Sequence, residues 1–223
     1  FFGFHGAYSA KNAQTNGMDI NPRVNFLSIY GFASASALIV GMVLVVFTLA
    51  SHPRVPLLRV SFLNVGQGDS IFIRFSDDTT MLIDGGPDNM VLAELGLHMP
   101  WWKRRLDYVV LTHPDLDHYA GLSGVLEKYD VGMVLYNGHE AKGSAYHWLT
   151  RQMTDTHMSL VRVAQGGELT IDGKTISVLW PPRDYSAKDD NAASLVLGLA
   201  WGEMQFLLMG DVPKEQELTI LDA

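Results

Sequence analysis

The chain has 223 residues, a formal net charge of −8, 48% hydrophobic and 18% charged residues, and no cysteine. Lack of cysteine excludes a disulfide framework and any Cys-ligated zinc site. The acidic balance excludes wholesale electrostatic binding of nucleic acid, and a charged fraction below the soluble average of about 25% places part of the chain outside water. The length suits one large domain with a small additional element.

Residues 1–26 are aromatic at first, then polar and aperiodic, with Asn12, Gln14, Asn16, Gly17 and Pro22, and read as a loop. His5 is a lone histidine there and takes no role. Position 1 is Phe rather than Met, which suggests a fragment of a longer protein. Residues 27–50 carry no charge over 24 positions. As a helix they would extend about 36 Å, enough for a hydrocarbon core of about 30 Å. A buried core helix is the alternative; a signal peptide is excluded by the length, the internal position and the lack of a basic start. Lys11 and Arg23 flank one end, Arg54 and Arg59 the other, so positive charge does not decide orientation. Residues 51–56 form a stiff linker, and a soluble domain is expected over 57–223.

From Leu58 the pattern becomes β, with strands expected at 58–63, 70–75 and 81–83, separated by Gly66-Gln67-Gly68-Asp69 and Ser76-Asp77-Asp78-Thr79. Asp84-Gly85-Gly86 ends the third strand and on its own reads as a turn. A helix is expected over 89–98. Trp101-Trp102-Lys103-Arg104-Arg105 admits three readings: stacking on single-stranded bases, anchoring at a membrane interface, or a solvated loop. No site is assigned there.

The apolar run 108–111 is a short buried strand, followed by T-H-P-D-L-D-H-Y-A-G over 112–121. His113, Asp115, Asp117 and His118 are four metal-ligand types in six positions. They occupy the turn between a strand's carboxyl end and a helix expected from about Gly121, where open α/β sheets bind ligands. Two imidazoles and two carboxylates so crowded repel and stay unpaired unless a cation lies among them. The plain alternative is a polar loop rich in His and Asp. Beyond it, strands are expected at 132–136, 160–163, 169–171, 175–180, 194–201 and 204–208, with Asp172-Gly173 a two-residue hairpin turn. The strand–loop–helix–strand order is that of an α/β sandwich.

The H-x-D-x-D-H segment resembles the variant metal motif of the metallo-β-lactamase superfamily, whose commoner form is H-x-H-x-D-H. Asn64-Val65-Gly66-Gln67-Gly68-Asp69-Ser70 resembles the V-G-Q-G-D-[AS] signature of the hydrolase domain of ComEC-like DNA-uptake channel proteins of competent bacteria. Asn191-Ala192-Ala193-Ser194, then an apolar strand and Gly210-Asp211, resembles that family's N-x-x-S…G-D segment. Together the motifs cover the chain from about Leu58 onward.

The resemblance implies a metallo-β-lactamase-like αββα sandwich, incomplete at its C-terminus and preceded by a transmembrane helix. It implies two divalent ions (Mn, Zn or Mg), one held by His113 and Asp115, the other by Asp117 and His118, with Asp211 between them. Exchange of an imidazole for Asp115 makes the site harder and shifts preference from zinc towards manganese or magnesium. Asp84 would orient the site, and Asp84 and Asp117 are the expected catalytic carboxylates. Asn191 stands where commoner members carry a histidine ligand, and could contact metal through its carbonyl, contact substrate or cap the turn. Asn191 and Ser194 are the expected substrate contacts. His139 and His147 fall where a third histidine sometimes lies, but the usual anchor is missing and neither is assigned; His98 and His157 read as surface.

The implied activity is cleavage of DNA phosphodiester bonds during competence, with single-stranded or linear duplex DNA, the membrane, the rest of the channel polypeptide and other competence proteins as partners. The implied location is the bacterial inner membrane, in a multi-pass parent. Two alternatives stay open: a membrane-linked metallohydrolase of a small ester or phosphodiester, and a non-catalytic domain that guides DNA. Residues 213–221 supply the start of the helix that follows Gly-Asp in ComEC-like domains, but no later histidine exists. The second metal position is therefore expected to be under-coordinated.

Overall fold

The computed structural model describes residues 26–51, 57–155 and 158–222. The loop expected before residue 26, the linker over 52–56 and His157 lie outside the described residues. The chain divides into two units, Phe1–Pro53 and Arg54–Ala223.

In the first unit, helix α1 runs Phe26–Ser51. Its described side chains, 36–48, are all exposed, among them Leu38, Ile39, Val43 and Phe47. Among the described residues no helix is long and apolar enough to cross a membrane. The described side chains of α1 stop short of the roughly 20 residues a span requires.

The second unit is built on two sheets. Strands β1 (Arg59–Phe62), β2 (Ile71–Arg74), β3 (Thr80–Ile83), β4 (Arg105–Leu111), β5 (Asp130–Tyr136) and β6 (Ser159–Arg162) lie side by side in chain order. The first three are antiparallel, as short turns permit; β3 to β6 are parallel, and each step needs a crossover. Helices α2 (Met90–His98), α3 (Leu116–Lys128) and α4 (Ser144–Asp155) make those crossovers. The second sheet is an antiparallel meander of β7 (Glu168–Ile171), β8 (Lys174–Trp180), β9 (Val196–Trp201) and β10 (Met204–Leu208), after which α5 runs Lys214–Leu221.

Alternation along the strands divides the core into layers. Phe72, Leu82, Val109 and Leu111 pack towards the helices with Leu95, Leu122 and Leu149. Ile73, Met81, Ile83 and Val110 face the other way, against Ile176, Leu197, Leu199 and Trp201 of the second sheet. A smaller cluster on the far side of that sheet joins Trp180, Val196 and Val212 to Ile220 of α5. The order of layers is helix, sheet, sheet, helix.

Four elements depart from the sequence reading. Strands β4 and β5 begin earlier, at Arg105 and Asp130, because these two pair across the parallel ladder through a 2.6 Å ion pair. Helix α3 starts at Leu116 rather than near Gly121, which puts Asp117 and His118 in its first turn. Helix α4 was not expected; its buried Tyr146, Leu149 and Met153 are spaced by three and four among mostly polar residues.

Glycines let the loops at the carboxyl ends of β3 and β4 interlock. A Cβ on Gly121 would come 2.1 Å from the Gly85 carbonyl oxygen and 2.4 Å from that of Asp88. A Cβ on Gly68, itself at φ +80°, would come 2.0 Å from the Asp117 carbonyl oxygen, which joins the β1–β2 loop to the same contact. Gly121→Ala is therefore expected to cost about 1–3 kcal/mol by overpacking, lowering Tm by several degrees. Gly96→Ala, with nothing within 4 Å of the added carbon, is the control and should raise Tm slightly. Equal melting of parent and Gly121→Ala would refute the interlock.

Candidate metal centre

Strand β3 ends on Asp84, whose φ of 55° is uncommon for a residue other than glycine. Its backbone N–H still bonds to the Val110 carbonyl at 2.9 Å, so the turn leaves its carboxylate beside the end of β4. That carboxylate is 1% exposed. One oxygen accepts the Thr112 N–H at 2.9 Å. The other accepts the Thr112 hydroxyl at 2.6 Å and His118 Nδ1 at 2.9 Å. Ser70 Oγ donates to the Asp84 carbonyl at 2.9 Å.

These bonds set the tautomer of His113 and the orientation of His118. Because the Thr112 hydroxyl donates to Asp84, its oxygen accepts from His113 Nδ1–H at 2.9 Å. The bare nitrogen of His113 is then Nε2, which is buried, has no hydrogen-bond partner, and lies 3.7 Å from Asp115 Oδ2. His118 likewise gives its Nδ1 proton to Asp84, and its Nε2 lies 3.5 Å from Asp211 Oδ2. The two rings are 4.1 Å apart. Burial, together with the neighbouring His118, holds His113 below the ordinary imidazole range. Burial also opposes charge on His118, but its hydrogen bond to Asp84 and the fields of Asp84, Asp211 and Asp117 prevail and raise it to about 9.

Asp84, His113 and His118 bring ligand-type atoms within 4.8 Å of one another. The oxygens of Asp84 are already occupied by three donors, so its part is to aim the imidazoles. The atom left open is His113 Nε2, facing Asp115, while His118 Nε2 faces Asp211. A buried nitrogen lone pair with no partner, beside carboxylates, fits a divalent cation.

Each remaining residue singled out in the sequence has a definite place. Asp115 stands at the N-cap position of α3 but makes no capping bond. Its carboxyl is held above the usual range by burial and by Asp190, to which it is hydrogen-bonded, although His113 opposes the shift. Asp117 accepts a bond from Gln67 Nε2 at 3.4 Å. Asn191 opens the 3-10 turn Asn191–Ala193, and its carbonyl accepts the Ser194 N–H at 2.9 Å. Ser194 is fully buried with its Oγ unpartnered, against Thr112 and Gly210, so the substrate contact expected there finds no exposed atom. The apolar packing that seals it was not visible in the N-x-x-S spacing. His147 is exposed on α4.

Four residues that the sequence left without a role belong to this region. Asn137, read as part of a turn, is buried and bonds to the Ala193 carbonyl at 2.6 Å and the Thr112 carbonyl at 3.2 Å, tying the two sheets together. His139 Nε2 lies 2.9 Å from Asp190 Oδ1. Asp69 is raised by burial and by Asp211 and Asp84, against the opposing pull of His118 and His113, which places it in the same field. Its only signal was its position inside G-Q-G-D. Beside the centre lies an open groove of about 720 Å³, walled by Asp115, Leu116, Tyr119, His139, Lys142 and Lys188.

The raised pKa of His118 makes metal-free stability depend on pH. Its contribution is fully present below the unfolded imidazole value of about 6.5, and is lost as pH rises through its folded value of about 9. In a chelator, the Tm advantage of the parent over Asp84→Asn should shrink across this window. A constant advantage would show that Asp84 does not hold a charged His118.

Residues 63–211 match the Metallo-beta-lactamase superfamily. ComE operon protein 3 of Bacillus subtilis (strain 168) is 24% identical over 186 residues, which is 74% of this chain and 23% of that protein. The chain thus spans under a quarter of that relative's length. Among solved structures, the metallo-beta-lactamase fold protein YhfI from Bacillus subtilis is 16% identical at a TM-score of 0.48, over 69% of this chain and 61% of that one. CmlA, a diiron beta-hydroxylase from Streptomyces venezuelae, is 18% identical at a TM-score of 0.46, over 77% of this chain and 33% of its own. The family match takes in both sheets and runs from the end of β1 to Asp211, and on that match this chain belongs to the metallo-beta-lactamase superfamily.

Proposed function

We propose that the second unit is a metal-dependent phosphodiesterase that cleaves DNA during uptake, attached to a bacterial inner membrane through residues 27–50. The observation that carries the hydrolytic reading is the buried, unpartnered Nε2 of His113 facing Asp115, with His118 Nε2 facing Asp211 beside it. Divalent ions held by these four residues, with Asp117 at the same turn, would supply positive charge for a phosphodiester and ease ionisation of water.

The protein's own residues account for the rest. Asp84 and Thr112 fix both rings, so no side-chain reorganisation is needed when the site fills. Asp117, steadied by Gln67, receives the proton of the attacking water. The groove is open rather than enclosing, which suits an extended polymer passing across the centre better than a small ester buried on most sides. Lys142 and Lys188, the latter paired with Glu215, stand on its wall among Asp115, Glu140, Asp189 and Asp190, so in a chain of net charge −8 the pairing with phosphate would run through metal. Similarity to ComE operon protein 3 supports the setting in DNA uptake. The uncharged sequence of 27–50 and the exposed apolar side chains of α1 support the membrane attachment.

The test is Asp117→Ala in the full chain, with divalent-metal content and cleavage of linear DNA measured together. Both should fall, the cleavage by more than about tenfold, the scale on which disturbed metal sites respond. Full activity in the variant would sink the proposal. Metal content intact with no cleavage of DNA by the parent, but hydrolysis of small esters, would favour the small-substrate alternative.

A further inference from the structure

The end of the first sheet opposite the metal centre carries three large apolar side chains in water. Leu97 is 78% exposed, Trp101 80% and Trp102 69%. They follow one another around the end of α2 and the approach to β4, and the two indoles meet edge to face at 5.6 Å. Burial of Val91, Leu95 and Met99 fixes α2 from its other side, so none of the three can turn inward. Isolated exposed hydrophobics are ordinary; two tryptophans and a leucine at one corner mark a contact surface.

The charges around this corner identify the kind of surface it meets. Lys103 is engaged by Asp78, and Arg105 by Asp107 and Asp130. Arg74 is likewise paired with Asp78. Arg59 and Arg104 are exposed and pair with no carboxylate among the described residues. Register places Arg59 at the same end: it pairs with Arg74, which pairs with Thr80, beside the start of β4. Two such guanidiniums at the same end of the sheet as the exposed indoles match a lipid interface, where indole rings lie at headgroup level and arginine meets phosphate. The chain also enters the domain at this end, at Leu57, itself 63% exposed.

We infer that Leu97, Trp101 and Trp102, with Arg59 and Arg104, form a lipid-docking corner that seats the hydrolase domain on the membrane with its metal centre directed away. The inference rests on the membrane attachment proposed above and adds a second contact to it. A cluster at the far end from the site gives the domain a fixed attitude, leaving the groove open to a polymer arriving from the aqueous side.

The experiment reconstitutes the full chain into vesicles of phosphatidylcholine and phosphatidylglycerol with brominated acyl chains, and compares it with Trp101→Ala/Trp102→Ala. Both proteins should float with the vesicles through residues 27–50. Brominated lipid should quench tryptophan fluorescence in the parent, and this quenching should be lost in the double variant while its Tm is unchanged. Flotation without quenching, or equal quenching in both, overturns the docking corner and leaves the membrane attachment standing. No flotation overturns both. Tryptophans shielded from aqueous iodide yet untouched by brominated lipid would give the corner to a protein partner or a second copy, and also overturn the proposal.

Discussion

The arrangement of the centre depends on one buried carboxylate. Asp84 leaves β3 with a positive φ and accepts three donors: the Thr112 amide, the Thr112 hydroxyl and His118 Nδ1. A buried carboxylate is costly unless its lone pairs are taken, and removing a partner from such a pair typically costs about 3–5 kcal/mol. Here full satisfaction has a chemical result. The Thr112 hydroxyl, committed to Asp84 as donor, can only accept from His113, and His118 is turned with its other nitrogen outward. One residue at a strand end therefore sets the tautomer of His113 and the orientation of His118.

The backbone makes this dependable. Asp84 lies beside the end of β4 because β3 and β4 are in parallel register, Ile83 opposite Val110. The first turn of α3 is pressed against the β3 loop through hydrogen bonds from Gly85 N–H to the His118 carbonyl at 2.7 Å and from Gly121 N–H to the Gly86 carbonyl at 3.0 Å. Absence of side chains at Gly68, Gly85 and Gly121 permits that approach. Donors thus sit on loops, but on loops whose backbone is packed as tightly as the core.

Much of this was legible in the chain. The dense H-x-D-x-D-H segment after a buried apolar run announced a cation site, and the alternating strands announced the sandwich. Other parts were hidden for identifiable reasons. Asp190, itself 2.9 Å from His139, acts on Asp115 from a polar loop, where such residues ordinarily mean nothing. Asn137 looked like a turn residue because it is one; that its side chain also ties β4 to the start of β9 depends on how the sheets stack. The burial of Ser194 was hidden because a motif position says nothing about burial. The start of α3 was placed late because Pro114 and three acidic or imidazole residues mask its periodicity, although an acidic residue in a first turn is favourable.

The centre lies on the seam of the sandwich. Asp84, His113, Asp115 and His118 belong to the first sheet and its crossover, whereas Asp211 follows β10 of the second. Across that seam, near the centre, run the 3.5 Å approach of His118 to Asp211, the Leu195 N–H bond to the Thr112 carbonyl at 2.9 Å, and the bonds of Asn137. A cation gripped from both sides would act as a rivet, so its binding energy would count against prising the halves apart as well as towards chemistry. Removal of that rivet should loosen β9 and β10 before it loosens the parallel strands, making the second sheet the breathing half of the molecule.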